Sequence, residues 1–343
     1  MPRFTRVARR SPAFRRPAAL PAGAGAGPAA GATLGAALFL LAPAAVHGQQ
    51  AADTSYRPTV AAPAYPQGGG PLVLIDEGHH EFHTAEGRYR PFAELLRADG
   101  YRVRPHTGRF TAAGLDSARI LVIANPVSAR NEKDWTLPVD PAFDTTEVAV
   151  VERWVRGGGS LLLIADHMPF GGGAAILARR FGLQFTNGFA FDTDTTRRVG
   201  RGTIVFRRSD GSLAGDTILS GEAGSVRIDS VVTFTGQAFR PVGGTRVRPL
   251  LVLPAAVELL QPDTAWVFHP STPRRPVTGW LQGALVPHGK GRVAAFGEAA
   301  MFSAQVVTNR RGKTLRFGMN APIAGQNAPF ALDVVHWLTG LLS

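Results

Sequence analysis

The chain has no cysteine among its 343 residues. That absence excludes disulfides, thiolate metal ligands and a cysteine nucleophile, and it makes an oxidising compartment harmless to the protein. Acids are also few, 25 against 37 Lys and Arg, for a formal net charge of +12. Much of that excess is local. Arg3, Arg6, Arg9, Arg10, Arg15 and Arg16 precede an apolar stretch over residues 31–46 with no acid among them, the layout of a secretory signal peptide. The stretch is short for a membrane span, and Pro43 interrupts it. Residues 1–48 are therefore expected to be a leader, with a mature chain starting between Gln49 and Asp53 and a secreted or periplasmic location. Loss of the six arginines takes the charge from +12 to +6 and leaves no membrane span. Arg197, Arg198, Arg201, Arg207 and Arg208 cluster, but Asp192, Asp194 and Asp210 are interspersed and no aromatic residues alternate with them. A solvated face is expected there, with no nucleic-acid partner.

Residues 49–70, rich in Ala, Pro, Gln and Gly, are expected to be a flexible linker, and residues 71–343 a domain. Short apolar runs at 72–75, 101–104, 120–123, 161–165 and 293–296 read as buried parallel strands. Helical spacing appears over 85–99, over 144–156 with a cap at Asp144 or Thr145, over 174–181 after three glycines, over 299–306, and over 328–342. Between residues 183 and 287 the pattern becomes short alternating runs, at 203–206, 225–232, 246–253 and 265–268, so a β-rich insertion at the sheet edge is expected. The whole predicts an α/β, doubly wound, mostly parallel sheet.

Chemistry concentrates where strands end. Residues 71–84, PLVLIDEGHHEFHT, carry Asp76, Glu77, His79, His80 and His83 just past a strand, and Asp166-His167 follow another. In open α/β sheets that edge is where ligands bind. His80-Glu81-Phe82-His83 is one residue too short for a zincin motif and is set aside. Asp76, His79, His83 and His167 form a nitrogen and oxygen set suited to a divalent Zn, Mn or Fe ion. Asp166, Glu77 and Glu298 are the candidate catalytic carboxylates, Glu298 doubling as a helix-start carboxylate. The competing reading is a polar cluster that only caps helices and holds loops. His336 reads as a core or interface residue, His269 and His288 as exposed, and His47 and His106 as incidental.

IDEGHHEFHT, WVRGGGSLLLIADHMP, GRVAAFGEAAMFSAQ and NAPFALDVVHWLTGLL together resemble the class I glutamine amidotransferase-like superfamily, and are similar to its ThuA-like and GIFT-type domains. The resemblance spans residues 71–342 and implies a flavodoxin-like sandwich. Members that transfer amide nitrogen use a Cys after a central strand; here that place holds Asp166-His167, so amidotransfer by that route is excluded. Two functions remain. One is an exported metal-assisted hydrolase using the Asp/His cluster. The other is a non-catalytic envelope module that binds a small molecule, carbohydrate, peptide or protein at the same edge.

Overall fold

Runs such as ILVIA and SLLLI have no polar side to offer water, so they are stable only in a sheet covered on both faces. The computed structural model, which describes residues 50–194, 202–221, 225–308 and 312–343, has that arrangement. In spatial order its main sheet runs Arg102–His106, Leu72–Asp76, Ile120–Ala124, Ser160–Ile164 and Gly291–Phe296, all parallel. It then continues antiparallel through Leu281–His288, Phe239–Pro241 and Leu183–Phe185, while Arg248–Val252 also pairs with Leu281–His288. The fold is thus mixed α/β, with a mostly parallel central sheet and extra antiparallel strands.

Side chains alternate across this sheet, as a pleated strand requires. Ile75, Val122, Ile164 and Phe296 join one core, against helices Arg90–Ala98 and Asn327–Thr339. Leu74, Ile123, Leu163 and Ala295 join the other, against helices Thr145–Gly157 and Ala175–Arg180. The β-rich middle does more than decorate the edge: four of its strands extend the sheet, and Phe189–Asp192, Val257–Leu260 and Arg274–Pro276 form a smaller antiparallel one.

Four local expectations are corrected. The first helix starts at Arg90, with Pro91 in its first turn, because residues 84–89 are held in turns closed by Thr84 O. Residues 299–306 are not a helix. Glu298 caps a single 3-10 turn, Ala300–Phe302, and β-prone Ala304–Thr308 then pairs with Thr314–Gly318, a partner that local spacing does not reveal. Residues 265–268 form a loop rather than a strand, with Trp266 at φ +68°. The stretch 49–70, expected as a linker, is packed on the domain from Ala51 onward: Ala51–Ala52 pairs with Gln305 and Val306, and Tyr56, Val60 and Tyr65 rest on the core.

The leader and Arg197, Arg198 and Arg201 lie outside the described residues. Of the remaining basic cluster, Arg208 donates to Leu219 O and Ile228 O, so it serves the fold. Among the described residues no helix is long and apolar enough to cross a membrane.

Candidate functional site

Because the strands are parallel, Asp76 and Asp166 lie along the same edge of the sheet. The loops that follow sort the candidate residues into two groups, and no hydrogen bond or ion pair among the described residues joins one group to the other.

The first group surrounds His79. The chain reverses directly after Asp76: Gly78 N–H donates to Asp76 Oδ1 at 3.3 Å, and Gly78 lies against Gly108 so closely that any Cβ would strike its backbone. This returns His79 Nδ1 to 2.7 Å from Asp76 Oδ2 and sets Nε2 3.0 Å from Glu147 Oε1. His79 N–H donates to Glu81 Oε2 at 2.8 Å, and His106 Nδ1 lies 3.4 Å from Asp76 Oδ1. Glu147 closes the capping box of helix Thr145–Gly157 with Asp144, and its Oε1 also accepts from Phe110 N–H. The rings of Phe110 and Phe143 lie 4.5 and 4.7 Å from that of His79. Asp76, His79 and Glu81 are all buried, and each offers one ligand atom within 4.8 Å of the others, a group that could hold a metal ion. Burial opposes charge on Asp76, yet hydrogen bonds with Glu81, His106 and His79 hold its carboxyl down at about 2. Glu81 is pushed up to about 10, first by burial and then by its bond to Asp76 and the charge there. One carboxyl of this pair therefore keeps a proton at neutral pH.

The second group is organised by Asn125, which follows strand Ile120–Ala124 at φ +61°, a conformation asparagine tolerates better than most residues. Asn125 Oδ1 accepts from Asp166 N–H at 2.8 Å, its Nδ2 donates to His83 Nδ1 at 3.1 Å, and its carbonyl accepts from Phe82 N–H. One side chain thus ties the His83 loop to the Asp166 loop. His83 Nε2 meets the side-chain amide of Gln305 at 3.4 Å, and its ring packs 4.7 Å from Tyr89. Burial, with lesser help from Arg88 and His167, keeps the His83 pKa well below its usual value, so the ring is neutral.

Asp166 Oδ1 accepts from His167 N–H at 2.7 Å, and His167 donates from Nδ1 to Met168 O at 2.7 Å. The His167 ring stacks on Phe189 at 4.6 Å and 11° and meets Trp266 edge-on at 4.6 Å. Burial pushes the Asp166 pKa up, with His167 opposing. Glu298 is fully buried, and its carboxyl oxygens accept from Ala300 and Met301 N–H groups at 2.7 and 2.8 Å. Burial first, then the neighbouring Asp166, push Glu298 well above the carboxylate range. Tyr89 donates to Ala299 O at 2.9 Å, so its hydroxyl closes the floor beside this acid pair.

Of the sequence candidates, Asp76 and His79 thus fall in the first group, and His83, Asp166, His167 and Glu298 in the second. Glu77 is in neither: its Oε1 accepts from Ala85 N–H and holds the loop. Glu81, Glu147, His106, Asn125 and Tyr89 were not singled out by the sequence. Glu147 had one signal, its place three residues after the cap Asp144. His106, read as incidental, faces Asp76, and His288, read as exposed, is paired with Glu152 at 2.7 Å. His336 binds Asp99 at 2.6 Å, and His269 is exposed. A surface depression of about 480 Å³ lined by Arg179, Arg180, Arg246 and His288 contains none of the candidate site residues.

No family model and no curated protein matches the chain by sequence. Among solved structures it is similar to the mmIFT52 N-terminal domain, with a TM-score of 0.52 and 14% identity over 78% of this chain and 97% of that one. It is also similar to a ThuA-like protein from Bacteroides uniformis, with a TM-score of 0.40 and 12% identity over 82% and 94% of the two chains. A cytoplasmic protein from Salmonella typhimurium LT2 gives 0.39 and 12% over 78% and 99%. The first likeness is one of fold.

Proposed function

We propose that this chain is an exported, cysteine-independent hydrolase built on a flavodoxin-like domain of the class I glutamine amidotransferase-like type, working from the Asp166–His167 edge. The observation that carries this reading is the state of His167. Its Nδ1–H is committed to Met168 O, so in the neutral ring Nε2 is the nitrogen that bears the lone pair, and Nε2 has no protein partner among the described residues. The ring is held between Phe189 and Trp266, at a site that Trp135 also borders.

The chemistry follows from that tautomer. A water placed at Nε2 gives its proton to His167 as its oxygen bonds to an acyl carbon of the substrate. The leaving group takes that proton from His167, which returns the site to its starting state, while the buried Glu298 beside Asp166 is held protonated. The aromatic wall suits a neutral ester or amide on a sugar or peptide. The metal-assisted version expected from the sequence is not adopted, because its ligand set is divided, Asp76 and His79 lying in one group and His83 and His167 in the other.

Turnover of p-nitrophenyl esters tests this. His167→Gln is expected to lower kcat/KM about a hundredfold, the lower end of what a general base contributes, with the fold kept. Equal turnover by wild type and variant would remove His167 from the chemistry. The aromatic wall also supports a second reading, a binding module for carbohydrate or peptide. Quenching of Trp135 and Trp266 fluorescence by oligosaccharides, equal in His167→Gln and without ester turnover, would select it. Export rests on the arginine-rich leader. Sequencing of exported protein should read a terminus between Gln49 and Asp53, and recovery of intact Met1 in the cytosol would overturn export.

A further inference from the structure

The Asp76, His79 and Glu81 group has no part in the hydrolytic reading, yet its geometry leaves one thing unexplained. Glu81 Oε2 is anchored by His79 N–H, while Oε1 is buried with no donor group to fill it beyond the proton that the Glu81 and Asp76 carboxyls hold between them. The residue is only 8% exposed. That orphaned oxygen lies 3.9 Å from His79 Nδ1, which itself lies 2.7 Å from Asp76 Oδ2. A divalent ion can take the place of the proton held by this carboxyl pair, because three ligand atoms are already gathered within 4.8 Å of one another.

The geometry points to a structural divalent cation site, with Asp76 Oδ2, His79 Nδ1 and Glu81 Oε1 as ligands and Zn²⁺ as the best-suited ion. One imidazole and two carboxylates with no thiolate are a ligand set for Zn²⁺ or Mn²⁺. The outer contacts are those of a metal site. His79 Nε2–H donates to Glu147 Oε1, which fixes the ring with Nδ1 as the coordinating atom. Asp76 is oriented through Oδ1 by Gly78 N–H and His106, and its Oδ2, hydrogen-bonded to His79 Nδ1 without metal, is the oxygen that would turn to the ion. All three ligand residues are buried, which marks the site as closed, hence structural. Bound there, the ion would join the end of strand Leu72–Asp76 to the loop that leads through Phe82 to His83, and through His79 and Glu147 to helix Thr145–Gly157. It would therefore hold the loop bordering the hydrolytic site without touching a substrate.

Glu81→Gln separates this proposal from a purely polar role. The amide keeps the acceptor for His79 N–H and turns the orphaned oxygen into a donor toward Asp76, so the variant should fold as well as wild type without metal. Both proteins, purified without a polyhistidine tag and stripped with chelator, are titrated with Zn²⁺ and Mn²⁺ by calorimetry and followed by thermal unfolding. Wild type is expected to take up one Zn²⁺ per chain and to melt several degrees higher with it, whereas Glu81→Gln binds at least tenfold more weakly and loses the shift. Equal affinity in both, or no saturable uptake by wild type, would overturn the site. Ester turnover is measured separately, so a failed metal site and a failed hydrolytic site give different results.

Discussion

Replacing Leu163 by aspartate is expected to leave no folded protein. Leu163 is fully buried at the middle of the central sheet, with Ile123 beside it on one strand and Ala295 on the other. The change removes about 2 kcal/mol of apolar burial and places an unpaired carboxylate in a dry layer at a cost of several more. Together these approach the whole stability of a domain, about 5–15 kcal/mol. Solubility and thermal unfolding measure the outcome. A soluble variant with a cooperative melt would show that Ser160–Ile164 is not the centre of the sheet.

Asp333 carries the second large effect, of opposite sign. It lies on the inner side of helix Asn327–Thr339 at 2% exposure, with Oδ2 lacking a hydrogen-bond partner. Burial pushes its carboxyl up to about 7 from an ordinary 3.8, and Ser225 offsets this only in part. Between those values the unfolded chain has released a proton that the folded one still holds. Folding stability must therefore fall as pH rises from about 4 to 7 and level off above. The contribution lost is about 4 kcal/mol, at 1.4 per unit. Urea unfolding of Asp333→Asn should lack this slope and exceed wild type at pH 8. Parallel curves for the two proteins across that range would mean that Asp333 titrates as an ordinary surface carboxylate.

The parallel strands were legible because a five-residue run such as LVLID or ILVIA is buried on both faces and has no other stable setting. The division of the site was not. His79 and His83 are four residues apart and read as partners, but His80 between them sits at φ +53°. That reversal sends His79 down to Asp76 and Glu147 and His83 across to Asn125. A single positive φ at a non-glycine residue leaves little mark on a sequence. Nor does Asn125, whose three links depend on loops far apart in the chain. Glu147 was visible as a capping residue, and its second role as a partner of His79 rests on a tertiary contact that helix periodicity does not encode.

The place of Gly291–Phe296 in the sheet has a consequence for biosynthesis. It fills the slot beside Ser160–Ile164, yet Arg292, the partner of Ser160, is made about 130 residues later, a separation that slows pairing. Until it arrives, the nascent chain presents the bare edge of a hydrophobic parallel sheet, which is open to pairing with other chains. Glu298 comes in at the tip of that late strand, so the acid pair with Asp166 is completed only as the sheet closes. A chain interrupted before residue 291 would keep that edge exposed, and whatever escorts this protein before folding has to shield it until the last sixth of the chain has been delivered.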